Sequence, residues 1–274
     1  MAKAFEELEL RDDFMFGVVM RNPKLCKPFL ERILGEKISR IEYPESQKTI
    51  DVSPGARGVR LDVYVEDGKG TVYDIDMQNK TSDTEKNLPK RTRYYGAMMD
   101  LNTSEKSMDY QNLKRSLVIF VCTFDQFKKG RHIYTFENRC IQDPNLKLGD
   151  DTTKIILNTK GTMDDVSPEL KKVLDYIDGQ EPTDAFTKKL DAEVQSVRKN
   201  EKWRVDYLKL ELNYQDKFRE GKQEGIKEGR KEGRLENLFN NISTLMESMK
   251  WSVEQAMEAL KVSEDDRKEL LKRF

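Results

Sequence analysis

The sequence has few of the residues that build disulfide frameworks or zinc sites. It contains three widely spaced cysteines and a single histidine, His132. Neither a disulfide framework nor a cluster of cysteine and histidine ligands for zinc can be built from this set, and the cysteine usage indicates a reducing, cytoplasmic compartment. Cys122 lies in an apolar predicted strand and is expected in the core. His132 has no partner in its own strand pattern and is expected at the surface or at a sheet edge.

Long apolar runs and the common nucleotide-binding motifs are also missing. No stretch approaches the roughly 18 apolar residues of a membrane-spanning helix, and the N-terminal residues lack the apolar core of a signal peptide, so we expect a soluble protein that is not exported. The absence of a phosphate-binding loop, a dinucleotide fingerprint and a nucleophile elbow excludes the commonest ATPases, dehydrogenases and hydrolases. Lys+Arg (49) and Asp+Glu (50) nearly cancel, so any binding of nucleic acid must come from a local basic patch.

The order of hydrophobic patterns indicates an α/β domain followed by helices. Apolar residues at helical spacing predict two short helices that are separated near residues 22–24. Up to six segments rich in β-branched and aromatic residues follow, and a predicted helix with Pro89 in its first turn connects the third segment to the fourth. Strands with an intervening helix are typical of the α/β class. We therefore expect an α/β domain at residues 1–160, a helical region at 161–219, a helical tether at 220–235 and a small helical tail at 236–274.

The predicted tether is a repeat in which Glu-Gly recurs every four residues. Its four glycines each weaken a helix by about 1 kcal/mol relative to alanine, whereas each pair of Glu with Lys or Arg at i+3 returns only a few tenths. The repeat is expected to be either a solvated, semi-flexible tether or a surface that packs closely against another helix. In the tail, Ser252 and Ser263 are predicted helix N-caps. The C-terminal helices are candidates for the contact of a homo-oligomer.

Two neighbouring predicted strands carry polar side chains on one face. Asp62 lies in the segment GVRLDVYVED, and Asp76 and Gln78 alternate with apolar residues along the segment VYDIDMQNK. If a three-residue turn joins the strands as an antiparallel hairpin, Asp67 pairs with Thr71, and Asp62 then lies opposite Asp76. A two-residue turn would shift the register by one residue and separate the two carboxylates.

Opposed carboxylates on one sheet face destabilise a sheet unless something compensates their charge, and a divalent cation would do so. All-oxygen ligation by Asp62, Asp76 and the backbone carbonyl of Met77 suits Mg²⁺ or Mn²⁺ rather than zinc. Gln78 can hydrogen-bond a water molecule or a phosphate oxygen. Lys80, about 6.6 Å further along the strand, would supply a cation if it is not simply an exposed lysine. The alternative to a metal site is an ordinary solvent-exposed sheet face.

The segment RLDVYVEDGKGTVYDIDMQNK resembles the active-site hairpin of the PD-(D/E)XK nuclease-like transposases, also called the recombination-promoting nuclease family. The likeness extends to the segments DDFMFGVVM, KRTRYYGAMMD and LVIFVCTFDQF and to the Glu-Gly repeat. It implies a restriction-endonuclease-like core, a mixed sheet flanked by helices, with an all-helical C-terminal extension. In that family Asp62 would match the first metal-binding carboxylate and Asp76 the second, with Gln78 where many relatives have lysine. The family usually has the longer Glu at the position of Asp76, and Gln78 lacks the charge of lysine.

A DNA-binding protein needs a cluster of basic residues, and the predicted helix after the second acidic strand contains one. Its sequence EKNLPKRTRYYG contains Lys90, Arg91, Arg93 and Tyr95. Arg91 is expected to contact phosphate, because a first-turn position would face back toward the end of that strand. The alternative is a solvated helix face with a tyrosine in the core.

The sequence thus leads to two hypotheses about function. The first is an endonuclease that uses Mg²⁺ or Mn²⁺ to hydrolyse DNA and is connected with recombination or mobile DNA. The second is a catalytically weak or inactive DNA-binding or assembly module that keeps the nuclease fold. Strand polarity alone does not separate them.

Overall fold

The structure is a computed structural model of the chain, and it describes residues 3–43, 49–50, 59–60, 63–103 and 109–274. The helices in this part of the chain are α1 (Asp13–Val19), α2 (Pro23–Leu34), α3 (Ser82–Thr103), α4 (Pro168–Ile177), α5 (Ala185–Arg198), α6 (Glu201–Met249), α7 (Val253–Ala259) and α8 (Glu264–Leu270). The strands are β1 (Ile41–Glu42), β2 (Thr49–Ile50), β3 (Val59–Arg60), β4 (Val63–Asp67), β5 (Val72–Gln78), β6 (Ser116–Cys122), β7 (Ile133–Phe136) and β8 (Thr152–Asn158).

Six of these strands form one mixed sheet in the order β1-β4-β5-β6-β8-β7, while β2 pairs with β3. The strands β5, β6 and β8 are parallel, and β1, β4 and β7 run antiparallel to their neighbours. The three parallel strands end at the same edge of the sheet, where Gln78, Cys122 and Asn158 are aligned. The predicted class, a mixed sheet flanked by helices and followed by a long helical region, is confirmed.

Helix α3 makes the crossover that the parallel pair β5 and β6 requires. Its buried residues Leu88, Tyr95 and Met98 pack against Val118 and Phe120 of β6. These contacts place α3 over one face of the sheet, and the side chains of β5 that point to this face are buried beneath it.

The position predicted for the start of α3 is wrong. The helix begins at Ser82, so Pro89 lies in its interior rather than in its first turn. Proline has no backbone N–H, and the carbonyl of Glu85, four residues earlier, therefore loses its usual helical donor. The side-chain amide of Gln126 donates a hydrogen bond to that carbonyl at 3.0 Å. A side chain from the loop after β6 thus supplies the hydrogen-bond donor that Pro89 lacks.

Helices α1, α2, α4 and α5 form a second helical layer, in which α1 contacts β5 and α5, and α4 contacts α2 and α5. The predicted break between α1 and α2 is confirmed. The side chain of Asn22 caps α2 by accepting from the backbone N–H of Lys24, and Pro23 occupies the first helical position. The helix ends at Gly35, whose φ of 70° is the left-handed conformation that glycine adopts most readily.

The chain divides into two compact units, Met1–Tyr207 and Leu208–Phe274. The first unit contains the sheet with α1 to α5, and it therefore continues past residue 160, where the sequence pattern predicts the end of the α/β domain. The second unit contains most of α6 with α7 and α8, around a small core that includes Leu235, Ile242 and Met257.

The Glu-Gly repeat lies within α6 and is helical throughout. Among the described residues, no atom outside the helix lies within 4 Å of a side chain built at its glycines Gly221, Gly225, Gly229 and Gly233. The predicted caps of the tail are confirmed, because Ser252 accepts from the backbone of Gln255 and Ser263 from that of Asp266. No helix in the described part of the chain is long and apolar enough to span a membrane.

Candidate active site

Strands β4 and β5 form the predicted antiparallel hairpin with the predicted register. The backbone N–H of Asp67 donates to the carbonyl of Thr71 at 2.9 Å, and Gly70, with φ of 81°, closes the three-residue turn. The pairs along the hairpin include Val63 with Ile75 and Glu66 with Val72. Asp62 lies outside the described residues, so its place opposite Asp76 stays a prediction.

The polar face of β5 is buried beneath α3. Asp74, Asp76 and Gln78 alternate along the strand and are 0%, 3% and 2% exposed. The alternative of a solvent-exposed sheet face is therefore wrong. Burying carboxylates costs free energy unless they gain ionic and hydrogen-bonding partners, so the contacts of this face decide its chemistry.

Gln78 and Arg91 form a network with the carboxylate of Asp76. The Gln78 Nε2 atom donates to Asp76 Oδ2 at 2.5 Å, Arg91 Nη1 donates to Gln78 Oε1 at 2.6 Å, and Arg91 Nη2 lies 3.6 Å from Asp76 Oδ2. A guanidinium group only donates hydrogen bonds, so the oxygen of the Gln78 amide faces Arg91 and its nitrogen faces Asp76. The amide of Gln78 is thus held in one orientation between a cation and a carboxylate.

Tyr95 holds Arg91 in this position. Its hydroxyl accepts from Arg91 Nη2 at 2.9 Å, and its ring packs edge-to-face on Phe120 with 5.3 Å between centroids. Burial raises the pKa of Tyr95, and the nearby Asp76 carboxylate acts in the same direction, so the phenol stays protonated. Arg91 reaches the strand from the third turn of α3 and not from its first turn, which corrects the predicted reason for its orientation.

The other described residues of the predicted site lie outside this hydrogen-bonded network. Lys80 follows the end of β5, is exposed, and forms an ion pair with Glu85 at 3.4 Å. Lys90 and Arg93 are exposed on α3. The side chain of Met77 is buried as part of the apolar set that alternates with Asp76 and Gln78, and its carbonyl stays a proposed ligand.

Outside this network, the structure confirms the expected burial of Cys122 and one of the two locations expected for His132. Cys122 is buried next to Gln78 on the parallel strand, and burial raises the pKa of its thiol. His132 directly precedes β7, the edge strand of the sheet, which agrees with the sheet-edge alternative. It is 1% exposed, so the surface alternative is wrong, and its Nδ1 lies 3.1 Å from Asp165 Oδ1. A side chain added at Gly161 would lie 2.4 Å from the imidazole ring. No pattern in the sequence connects His132 with Asp165, because only the tertiary fold brings these two residues together.

The described part of this network offers one carboxylate, that of Asp76, to a divalent cation. Asp76 is a carboxylate at the end of a strand, and the donor chemistry expected around it is oxygen, which Mg²⁺ and Mn²⁺ prefer. In the described part of the chain, no group of three or more His, Cys, Asp and Glu side chains is placed to hold a metal. A cation here would therefore use Asp76 together with water molecules, which Mg²⁺ usually retains, and with a ligand such as the predicted Asp62.

Comparison with known proteins identifies the family of the chain. The sequence model of a family described as PD-(D/E)XK nuclease family transposase matches residues 13–173, which is more than half of the chain. The match includes the whole sheet and the network of Asp76, Gln78 and Arg91. No curated protein sequence and no solved structure matches the chain. The chain, with its mixed sheet, its crossover helix and its buried acidic strand, belongs to the PD-(D/E)XK nuclease family transposases.

Proposed function

We propose that the protein is a metal-dependent endonuclease that hydrolyses phosphodiester bonds of DNA in recombination or in mobile elements. The observation that carries this proposal is the buried network of Asp76, Gln78 and Arg91 at the end of β5. A carboxylate, an oriented amide and a guanidinium converge there, a set of groups that matches the needs of phosphoryl chemistry.

In this proposal Asp62, Asp76 and the carbonyl of Met77 hold a Mg²⁺ or Mn²⁺ ion. The support is the hairpin register, which follows the predicted three-residue turn through all of its described pairs. A bound ion of this type polarises a phosphate and lowers the pKa of an attacking water. Gln78 keeps the Asp76 carboxylate in position through its amide hydrogen bond.

Arg91 supplies the positive charge that Gln78 lacks. Its guanidinium lies 2.6 Å from the Gln78 oxygen, and 29% of its side chain is exposed. In this proposal the guanidinium also binds a phosphate oxygen. Lys80 is the weaker candidate for this role because its ammonium is exposed and pairs with Glu85.

The outer face of α3 is the proposed DNA contact next to the site. Lys90 and Arg93 are exposed there and would bind phosphates, whereas the buried Tyr95 would act through Arg91 by holding its guanidinium. We expect Arg91→Ala to weaken DNA binding and to lower the slope of log K against log salt by about one unit. An unchanged slope would remove Arg91 from the phosphate contacts.

The test is cleavage of supercoiled plasmid by the purified protein with Mg²⁺ or Mn²⁺. Asp62→Ala and Asp76→Asn should both abolish nicking, while Asp164→Asn, which removes an exposed carboxylate, should not. Equal nicking by wild type and by the two site variants would indicate a contaminating nuclease and contradict the assignment.

One observation favours the second hypothesis, a DNA-binding or assembly module with weak or no activity. Asp76 Oδ2 already contacts the Gln78 amide and lies 3.6 Å from the Arg91 guanidinium, which competes with a metal ion for the same carboxylate. A wild-type protein that binds DNA but does not cleave it in either metal would support this function instead.

A further inference from the structure

The loop between β6 and β7, residues 123–132, begins at the sheet edge where the candidate active site lies. The backbone N–H of Thr123 donates to the carbonyl of Gln78 at 3.1 Å, and its hydroxyl lies 3.2 Å from Asn79 Oδ1. The first residue of this loop is therefore bonded directly to the end of the strand that carries Asp76.

The same loop packs against α3, on the face of the sheet to which Asp76 and Gln78 point. Phe124 is part of the core beneath α3, and Phe127 packs on that core. Gln126 donates to the carbonyl of Glu85 that Pro89 leaves without a helical partner. These attachments hold residues 123–127 at the end of β5 and against α3, while the tip is bonded to the segment after β8, whose Thr162 and Met163 backbone N–H groups donate to the carbonyl of Gly130.

The carboxylate of Asp125 points into the tip of the loop and stabilises its conformation by accepting hydrogen bonds. It accepts from the backbone N–H groups of Phe127, Lys128 and Gly130, and from the hydroxyl of Tyr134. Although burial acts to raise the pKa of Asp125, these hydrogen bonds outweigh it and hold that pKa below its usual value. Lys128 (φ 55°) and Gly130 (φ 73°) adopt left-handed conformations within this turn, so the loop is built in one defined shape.

The tip presents two lysines to solvent. Lys128 and Lys129 are both exposed, and within the described residues neither ammonium group forms an ion pair. Arg131, by contrast, lies 3.6 Å from Asp165. Two adjacent cations with no acidic partner, on a preformed loop, favour binding of a polyanion at low entropic cost.

We propose that Lys128 and Lys129 bind phosphates of the DNA backbone. This inference rests on the proposed function for its ligand, but it assigns a binding surface separate from α3. Lysine ammonium groups act as point charges toward phosphates, so the contact would position the duplex without reading its sequence.

The experiment measures binding of a fluorescent duplex oligonucleotide as a function of salt, in EDTA so that hydrolysis is suppressed. Each phosphate contact contributes about −0.9 to the slope of log K against log salt concentration. One contact therefore strengthens binding by about 8-fold when the salt concentration falls from 1 M to 0.1 M. The double variant Lys128→Gln, Lys129→Gln should therefore bind about 60-fold more weakly at 0.1 M salt and lose about 1.8 units of slope. The variant Lys128→Arg, Lys129→Arg should keep the wild-type slope.

The matched control is Lys188→Gln, Lys189→Gln, an exposed lysine pair on α5, which should leave both affinity and slope unchanged. Wild-type affinity and slope in the Lys128, Lys129 double variant would overturn the inference while leaving the endonuclease proposal intact. The expected loss of slope in a protein that cleaves no plasmid would support the inference and contradict the endonuclease proposal. Failure of the wild-type protein to bind duplex DNA would overturn both.

Discussion

Replacing Arg91 with alanine tests whether the guanidinium neutralises the buried carboxylate. The side chain of Asp76 is 5% exposed, and the substitution removes the nearby cation as well as the donor to Gln78. Removing one partner of a fully buried ion pair costs about 3–5 kcal/mol. Because 29% of the Arg91 side chain is exposed, water can solvate part of the space that it leaves, and we expect a loss of about 2–3 kcal/mol.

The assay is urea unfolding in EDTA, followed by the same measurement in Mg²⁺. A bound divalent ion would take over the neutralisation of Asp76, so Mg²⁺ should stabilise Arg91→Ala more than it stabilises the wild type. Arg91→Lys retains the charge without the planar fork and should lie between the two. Arg93→Ala, on the exposed side of the same helix, should change the free energy of unfolding by less than about 0.5 kcal/mol.

Two results would refute this reasoning about the network. The first is an Arg91→Ala protein that unfolds in EDTA within about 0.5 kcal/mol of the wild type, the range of neutral surface substitutions. The second is an equal loss on Arg91→Ala in the wild type and in an Asp76→Asn background. The cation would then have no energetic coupling to the carboxylate.

Two further predictions concern other parts of the first unit. The folded-state pKa of Asp125 lies below its unfolded value of about 3.9, so its contribution to stability is fully present above that pH and is lost as the pH falls through the folded pKa. In acid titrations followed by circular dichroism, Asp125→Asn should flatten this part of the unfolding curve. An unchanged curve would contradict the role given to Asp125. In thermal unfolding, Gly161→Ala should cost about 1–3 kcal/mol because its Cβ would meet the ring of His132, whereas Gly96→Ala, in the open interior of α3, should be stabilising by about 0.4–1 kcal/mol. A neutral Gly161→Ala would mean that His132 is not packed there.

Local patterns in the sequence were sufficient for much of the fold. The register of β4 and β5 follows from the turn residues between them, and the caps of α2, α7 and α8 follow from side chains that bond backbone groups two or three residues away. The start of α3 could not be predicted in this way. Its first turns are polar and exposed, so they lack the apolar periodicity by which a helix is recognised.

The sequence by itself determined that Asp76 and Gln78 share one face of a strand, because side chains alternate with a period of two. Only the tertiary structure decided that this face is buried and that Arg91 supplies its cation, since both depend on how α3 packs over the sheet. The same holds for the pairing of His132 with Asp165 and for the attachment of Gln126 to the carbonyl released by Pro89. These contacts join residues distant in sequence, and their energies exist only once the layers of the fold have come together.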